Sequence, residues 1–174
     1  MDIELWSATL VDSFTLAQMN HELILDEGCR NPMSIVEIEL RMRNWLESTY
    51  KAVLFYHEAE IIGYSLYQEQ SDEYFLDKID VYLRQFFIKR LRRGQGLGRR
   101  AFEKLCNEIF LAGSNITLDA LESNPGGQAF WQKVGFKPYY VRYSFNNNQP
   151  SVVNTATQPK SPRQLRLAKF KKPP

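Results

Sequence analysis

The sequence predicts a mixed α/β domain: a central twisted mixed sheet with helices on both faces, its elements in the order β-α-α-β-β-β-α-β-α-β. Three observations predict it. Residues 82–109 read as a strand, a basic glycine loop and a helix that begins inside the loop. Upstream, two helical patterns are followed by two apolar runs that a short polar turn separates. Downstream, a further strand pattern follows the loop helix. Two strands joined through a helix make a β-α-β crossover, which calls for a parallel pair.

Taken in order, residues 3–10 form the first predicted strand. Residues 13–27 follow as a helix with Phe14, Leu16, Met19, Leu23 and Leu25 in its apolar positions, and Gly28 can end it. Ser34 and Glu37 have the spacing of a capping box, so a second helix opens at Ile35 and runs to about Ser48. Its stripe is Ile35, Ile38, Met42, Trp45 and Leu46, a pattern that belongs to a core face rather than a ligand box. Residues 51–56 and 61–67 read as a hairpin turning at 57–60, and residues 68–77 as a loop.

The strand at 82–88 carries apolar residues on both faces, with Tyr82, Phe86 and Ile88 on one and Leu83, Gln85 and Phe87 on the other; that places it inside the sheet. From Leu97 the period changes to three and four, through Ala101, Phe102, Leu105, Cys106 and Ile109. Residues 115–121 alternate and read as the next strand. Asn124-Pro125 opens a short helix that Gly135 can end, and residues 139–145 complete the order as a last strand. From Asn146 the chain turns polar, proline-rich and basic. That composition predicts a flexible tail over 146–174, following a domain of residues 1–145.

Between strand and helix lies Arg92-Arg93-Gly94-Gln95-Gly96-Leu97-Gly98-Arg99-Arg100. The first turn of a helix has N–H groups with no intrahelical partner, and the helix dipole adds partial positive charge there. Alternate glycines remove the Cβ atoms that would keep a phosphate from those amides, and they permit positive φ. Arginines at a helix start oppose the dipole, so their presence suits a bound pyrophosphate better than a merely stable helix. The plainer reading is a glycine turn with solvated arginines. A dinucleotide-binding loop would need a small residue where Arg99 stands, although Asp119 lies at the distance of a ribose-binding acid. No Gly-Lys-Ser/Thr follows, so a Walker loop is excluded.

Arg93, Gln95, Gly96 and Gly98 fit the (Arg/Gln)-x-x-Gly-x-(Gly/Ala) loop of the GNAT superfamily of acetyl-CoA-dependent N-acetyltransferases, and the segment resembles that family in its placement after a strand. A second resemblance lies downstream: Asn124, Gly127, Phe130-Trp131 and Gly135-Phe136. Together they cover about residues 3–145. The resemblance implies transfer of acetyl from acetyl-CoA to a primary amine, on a small molecule, by direct attack. It implies that the amides of Arg93, Gly94, Gln95, Gly96, Leu97, Gly98 and Arg99 hold the pyrophosphate. It also implies that the strand at Phe86, Phe87 and Ile88 pairs with pantetheine, that Asn124 bonds the same arm, and that Phe130 and Trp131 line the thiol side. Asn124 equally suits an N-cap. The acceptor pocket would lie between the first two helices and the later strands. Homodimers are common in the family.

The chain departs from the family at Trp131, where a general-acid Tyr usually sits. An indole N–H donates a hydrogen bond but no proton. Tyr139, Tyr140 or water are the alternatives, and a thiol with a pKa of about 8.5 leaves without a dedicated acid. No carboxylate occurs at 82–85, where some members place a base; Asp80, Glu69, Glu122 or a water chain remain open. Arg84 could instead bind an acidic group on the acceptor. A non-catalytic acyl-CoA-binding protein and a nicotinamide-dinucleotide enzyme are the rival classes.

Composition agrees with a packed soluble domain: 44% hydrophobic and 13% aromatic. The net charge of +2 hides a balance of −11 over residues 1–80 and +13 over 81–174. An anionic cofactor and a cationic amine would be partners of matching signs, while solvated helix faces would explain the acids equally. Neither specific nucleic-acid binding nor a membrane span is expected. Cys29 and Cys106 lack metal-ligand spacing and read as reduced thiols of a cytoplasmic protein. His21 and His57 assemble with no nucleophile or metal set.

Overall fold

The structure, a computed structural model, describes residues 2–72, 75 and 78–145. Its single sheet has the strands in sequence order: β1 (Glu4–Ser7), β2 (Tyr50–His57), β3 (Glu60–Ser71), β4 (Ile79–Ile88) and β5 (Asn115–Thr117). Neighbours run antiparallel except β4 and β5, whose parallel pairing follows from the helix between them. The helices are α1 (Ser13–Glu27), α2 (Ile35–Leu46), α3 (Leu97–Glu108) and α4 (Pro125–Lys133).

The element boundaries have local causes. α1 stops at Gly28, which takes φ 61° and returns its N–H to the last turn. α2 begins at the predicted capping box: the Ser34 N–H donates to Glu37 at 2.7 Å, and the Glu37 N–H donates to Ser34 Oγ. The β2–β3 hairpin turns at Glu58 and Ala59, both at positive φ (55° and 62°), because the twist of a two-residue hairpin requires it.

Helices cover both faces of the sheet, as predicted. On one face Val53, Phe55, Ile62, Val81, Leu83 and Ile88 pack with α3. On the other, Ala52, Leu54, Tyr64, Leu66 and Phe87 pack with Leu16, Met19 and Leu23 of α1 and Met42 of α2. Phe14 and Leu25, expected in the α1 stripe, are exposed. They lie three turns apart on a line facing away from Leu16, Met19, Asn20, Leu23 and Ile24.

The faces of β4 do not alternate as expected. Leu66 stands opposite Gln85 and Tyr67 opposite Leu83, so Arg84 is an extra residue, a β-bulge. Beyond it the parity reverses. Val81, Leu83, Phe86 and Ile88 therefore share the α3 face, while Phe87 joins the other core.

β3 extends to Ser71 through part of the predicted loop, and β5 ends at Thr117, short of the predicted Leu121. The last predicted strand does not form. The chain divides at Lys137/Pro138, and residues 138–145 have no regular structure, with Tyr139, Val141, Tyr143 and Phe145 all exposed. Alternation assigns faces, but a strand also needs a neighbour for its backbone hydrogen bonds. The predicted tail, 146–174, lies outside the described residues.

Candidate active site

The glycine loop leaves β4 through Lys89 and a 3₁₀ turn at Arg90–Arg92. Gly94 and Gly96 take φ 76° and 75°, and a Cβ on either would meet nothing within 4 Å. They are needed for backbone conformation and for open approach, not to relieve crowding. Gly98 is the opposite case: a Cβ there would come within 3.3 Å of the Phe130 ring, so the start of α3 lies tight against α4. The first i→i−4 bond of α3 runs from the Arg100 N–H to the Gly96 carbonyl at 3.1 Å. The amides of Leu97, Gly98 and Arg99 therefore precede the ladder and face outward. Leu97 is buried and anchors this turn in the core.

The loop arginines are not free charges. Arg92 pairs with Glu60, Arg99 with Glu103 at 2.7 Å, and Arg100 approaches Asp2 at 3.4 Å. Arg93 donates from Nε to the Ile88 carbonyl at 2.7 Å and pairs through Nη2 with Asp26 at 2.5 Å, its guanidinium 5.3 Å from the Phe87 ring. It thus ties the end of β4 to the end of α1. Arg90 also reaches Asp26. Burial alone would raise the Asp26 carboxyl, but the hydrogen bonds and charges of Arg93 and Arg90 outweigh it and hold that group below its usual value.

Beyond the loop the sheet opens. β5 pairs with β4 only at Asp80–Asn115, Val81–Ile116 and Tyr82–Thr117, while β4 continues to Ile88 along β3. The β4 edge that faced β5 thereby has no strand partner among the described residues from Leu83 onward, and at its far end the Ile88 carbonyl accepts from Arg93. Phe86, on the face toward α3 and α4, stacks on Phe130 (5.7 Å, 19° between planes) and meets Trp131 edge-on at 5.3 Å. Trp131 also contacts Phe102 and Phe136 at 5.6 and 5.2 Å, so its ring is part of an aromatic cluster. Asn124 caps α4, its Oδ1 accepting from the Gly127 N–H at 2.8 Å. That bond leaves its amide nitrogen as a donor.

The end of α1 borders this region. The Glu27 carbonyl accepts from Ser123 Oγ at 2.6 Å, which brings the end of α1 to the loop after β5. Burial, and secondarily the Asp26 charge, raise the Glu27 carboxyl above its usual value. Tyr64, fully buried on β3, donates to Gln85 Oε1 at 2.9 Å, and its pKa is pushed well up by burial, with Glu27 and Arg41 both within electrostatic reach. Glu27 was not identifiable from sequence. Only its place before the helix-ending Gly28 distinguished it from the other acids of the first half.

Two further observations bear on the rival classes. A sheet with three antiparallel pairings is not the parallel sheet of a dinucleotide-binding domain. Asp119, the candidate ribose-binding acid, accepts from the Tyr82 hydroxyl at 3.0 Å, a contact that with burial raises the Tyr82 phenol to about 12.

The family model for acetyltransferases of the GNAT family matches residues 18–136. The chain belongs to this family. Solved structures with the same fold include a possible acetyltransferase from Clostridium difficile 630, 13% identical, with a TM-score of 0.67 over 84% of this chain and 98% of that one. A predicted acetyltransferase with acetyl-CoA from Clostridium acetobutylicum is 17% identical, with a TM-score of 0.65 over 83% and 96%. The ribosomal-protein-alanine N-acetyltransferase of Brucella melitensis biovar Abortus 2308 is 9% identical, with a TM-score of 0.61 over 84% and 99%. At these identities the likeness is one of fold. A search of curated protein sequences finds no match to this chain.

As a GNAT acetyltransferase the protein is an acyltransferase with an acceptor substrate. Its open sheet edge and glycine-bounded helix start lie together at one end of β4. Among the described residues, no helix is long and apolar enough to cross a membrane.

Proposed function

We propose that this GNAT protein transfers acetyl from acetyl-CoA to the primary amine of a small molecule by direct attack. The observation that carries the reading is the parting of β4 from β5 after Tyr82, with the unpaired β4 edge leading to the glycine loop and the start of α3. The amides from Arg93 to Arg99 suit a pyrophosphate, because outward N–H groups and the α3 dipole both favour an anion. The edge at Phe86, Phe87 and Ile88 suits the amide groups of pantetheine. The Asn124 amide nitrogen and the aromatic pair Phe130 and Trp131 border the thiol end. Family analogy supports each of these assignments.

The chemistry asks little of the protein. The amine nitrogen attacks the thioester carbonyl, the new C–N bond forms, the C–S bond breaks, and the thiolate departs and takes a proton from water. The attacking amine must lose a proton. Glu27 is our candidate for its acceptor, since it ends α1 where that helix is tied to the loop after β5 and to Arg93, and burial raises its carboxyl. Trp131 supplies no proton, and its place in the aromatic cluster gives it a packing role. The same substitution is what an acyl-CoA-binding protein without turnover would show. The exposed Cys29 thiol and the half-buried Cys106 suit the reducing cytoplasm.

A thermal-shift titration with acetyl-CoA, CoA and NAD side by side tests the cofactor. Binding to the folded state alone adds about 2.7 kcal/mol at a hundredfold excess over Kd. A shift with acetyl-CoA and CoA but not NAD is expected, followed by thiol release on adding amines. A shift with NAD alone would overturn the reading, and cofactor binding without thiol release from any amine would favour the non-catalytic alternative.

A further inference from the structure

The described part of the protein contains two guanidinium groups without a carboxylate partner that face the same aromatic ring. Arg84, the bulge residue, lies two positions past the last β4–β5 pair. Its guanidinium carbon sits 4.7 Å from the centre of Trp45 and 5.7 Å from that of Tyr50, with Nη1 3.5 Å from the Tyr50 hydroxyl. Arg41, from α2, sits 4.8 Å from the same Trp45 ring and donates from Nη2 to Asn20 Oδ1 at 2.7 Å. No carboxylate among the described residues lies within 4.0 Å of either group, whereas Arg90, Arg92, Arg93, Arg99 and Arg100 each have one. Burial, and secondarily the Arg84 charge, hold the Arg41 guanidinium below its usual value, so the two cations oppose each other.

One donor beside them is also unmatched: Arg41 Nε is buried and makes no hydrogen bond with any described residue. Asn20, 1% exposed, is engaged with both Arg41 and the Tyr64 hydroxyl. A buried donor without an acceptor is costly in a folded protein. An anion held by the two guanidiniums would offset the repulsion between them. The place is also significant: Asn20, which holds Arg41, and Glu27, the proposed proton acceptor, lie seven residues apart and so on one face of α1.

Resting on the acetyltransferase reading, we propose that the acceptor is an amino acid, its carboxylate bound by Arg84 and Arg41 while its amine faces Glu27. A carboxylate matches the planar guanidinium fork. It also brings one negative charge toward Glu27 and Asp26 where a phosphate would bring nearly two. Polyamines and aminoglycosides, whose charged groups are all cationic, would meet two arginines.

The test compares each amino acid with its decarboxylated amine: L-phenylalanine with phenethylamine, L-lysine with cadaverine, L-methionine with 3-(methylthio)propylamine. Phosphoethanolamine is the phosphate arm. Thiol release at saturating acetyl-CoA and the melting shift without cofactor are read in parallel, for wild type, Arg84→Gln and Arg41→Gln. We expect at least one amino acid to exceed its amine tenfold in kcat/KM. Arg84→Gln should raise that amino acid's KM at least tenfold and leave the KM for acetyl-CoA within twofold. Equal rates within every pair, a preference that survives both variants, or a preference for phosphoethanolamine would overturn the inference while leaving the acetyltransferase reading intact. If acetyl-CoA gives neither melting shift nor thiol release, that reading fails. In that case an amino-acid-selective melting shift lost in Arg84→Gln supports the carboxylate site, and no such shift overturns it.

Discussion

Gly96→Ala separates a loop that binds an anion from one that merely turns. Gly96 holds φ 75°, and a Cβ there would meet no atom within 4 Å. The folding cost is therefore conformational, about 1–2 kcal/mol for an L-residue in the left-handed region. It is partly offset by about 0.4–1 kcal/mol from the stiffer unfolded chain. A net loss of about 1 kcal/mol lowers the Tm by roughly 2–5 °C in a domain of this size. The new methyl would stand beside the outward amides at the start of α3, where the proposed pyrophosphate lies. Calorimetric titration with CoA should show at least a tenfold weaker Kd, a loss of about 1.4 kcal/mol. Gly98→Ala is the control, because its backbone is helical and the Phe130 ring can yield slightly; its affinity for CoA should change by less than threefold. An unchanged CoA affinity in Gly96→Ala, together with the lowered Tm, would show that the loop is only a turn.

Other perturbations follow from the same structure. Gly63→Ala would put a Cβ 2.0 Å from the Phe87 carbonyl oxygen, where only backbone can yield, so urea unfolding should show a loss of about 3 kcal/mol or more. Arg93→Gln removes the bonds to Asp26 and Ile88 and should cost about 1–2 kcal/mol at neutral pH. Because the Asp26 pKa is lowered by folding, its contribution is present above the ordinary value of 3.8 and lost as pH falls through the folded one. The Tm gap between Arg93→Gln and wild type should therefore narrow in acid; a gap independent of pH would contradict the pairing. Glu27 has the opposite sign. Its raised pKa favours the folded state below the ordinary 4.5, and that contribution is lost as pH rises through the folded value. Glu27→Gln should raise the Tm at pH 7.5 yet lower kcat at least tenfold and abolish the acid limb of kcat/KM; an unaltered profile would remove Glu27 as the proton acceptor. Ser34→Ala should cost about 1 kcal/mol in thermal unfolding through loss of the α2 cap.

Much of this architecture was written locally. Gly28 and the Ser34–Glu37 box set helix ends because caps act within one turn, and the change of period at Leu97 marked α3 because amphipathicity repeats along a single element. Gly94, Gly96 and the start of α3 were legible for the same reason: positive φ and unbonded first-turn amides belong to adjacent residues. Residues 139–145 show the limit, since their alternation needed a pairing partner that no sequence window contains.

The sequence by itself therefore determined the element order as far as α4, the parallel crossover and the loop that marks the family. Only the tertiary structure decided what the side chains around that loop do. It spent Arg93 on Asp26 across 67 positions, reversed the faces of β4 at the Arg84 bulge, and opened β4 from β5 after Tyr82. It also brought Arg41 and Arg84 to one Trp45 ring and the end of α1 to the loop after β5. Hydrogen bonds, ion pairs and desolvation depend on distances between residues remote in sequence, and folding alone sets those distances.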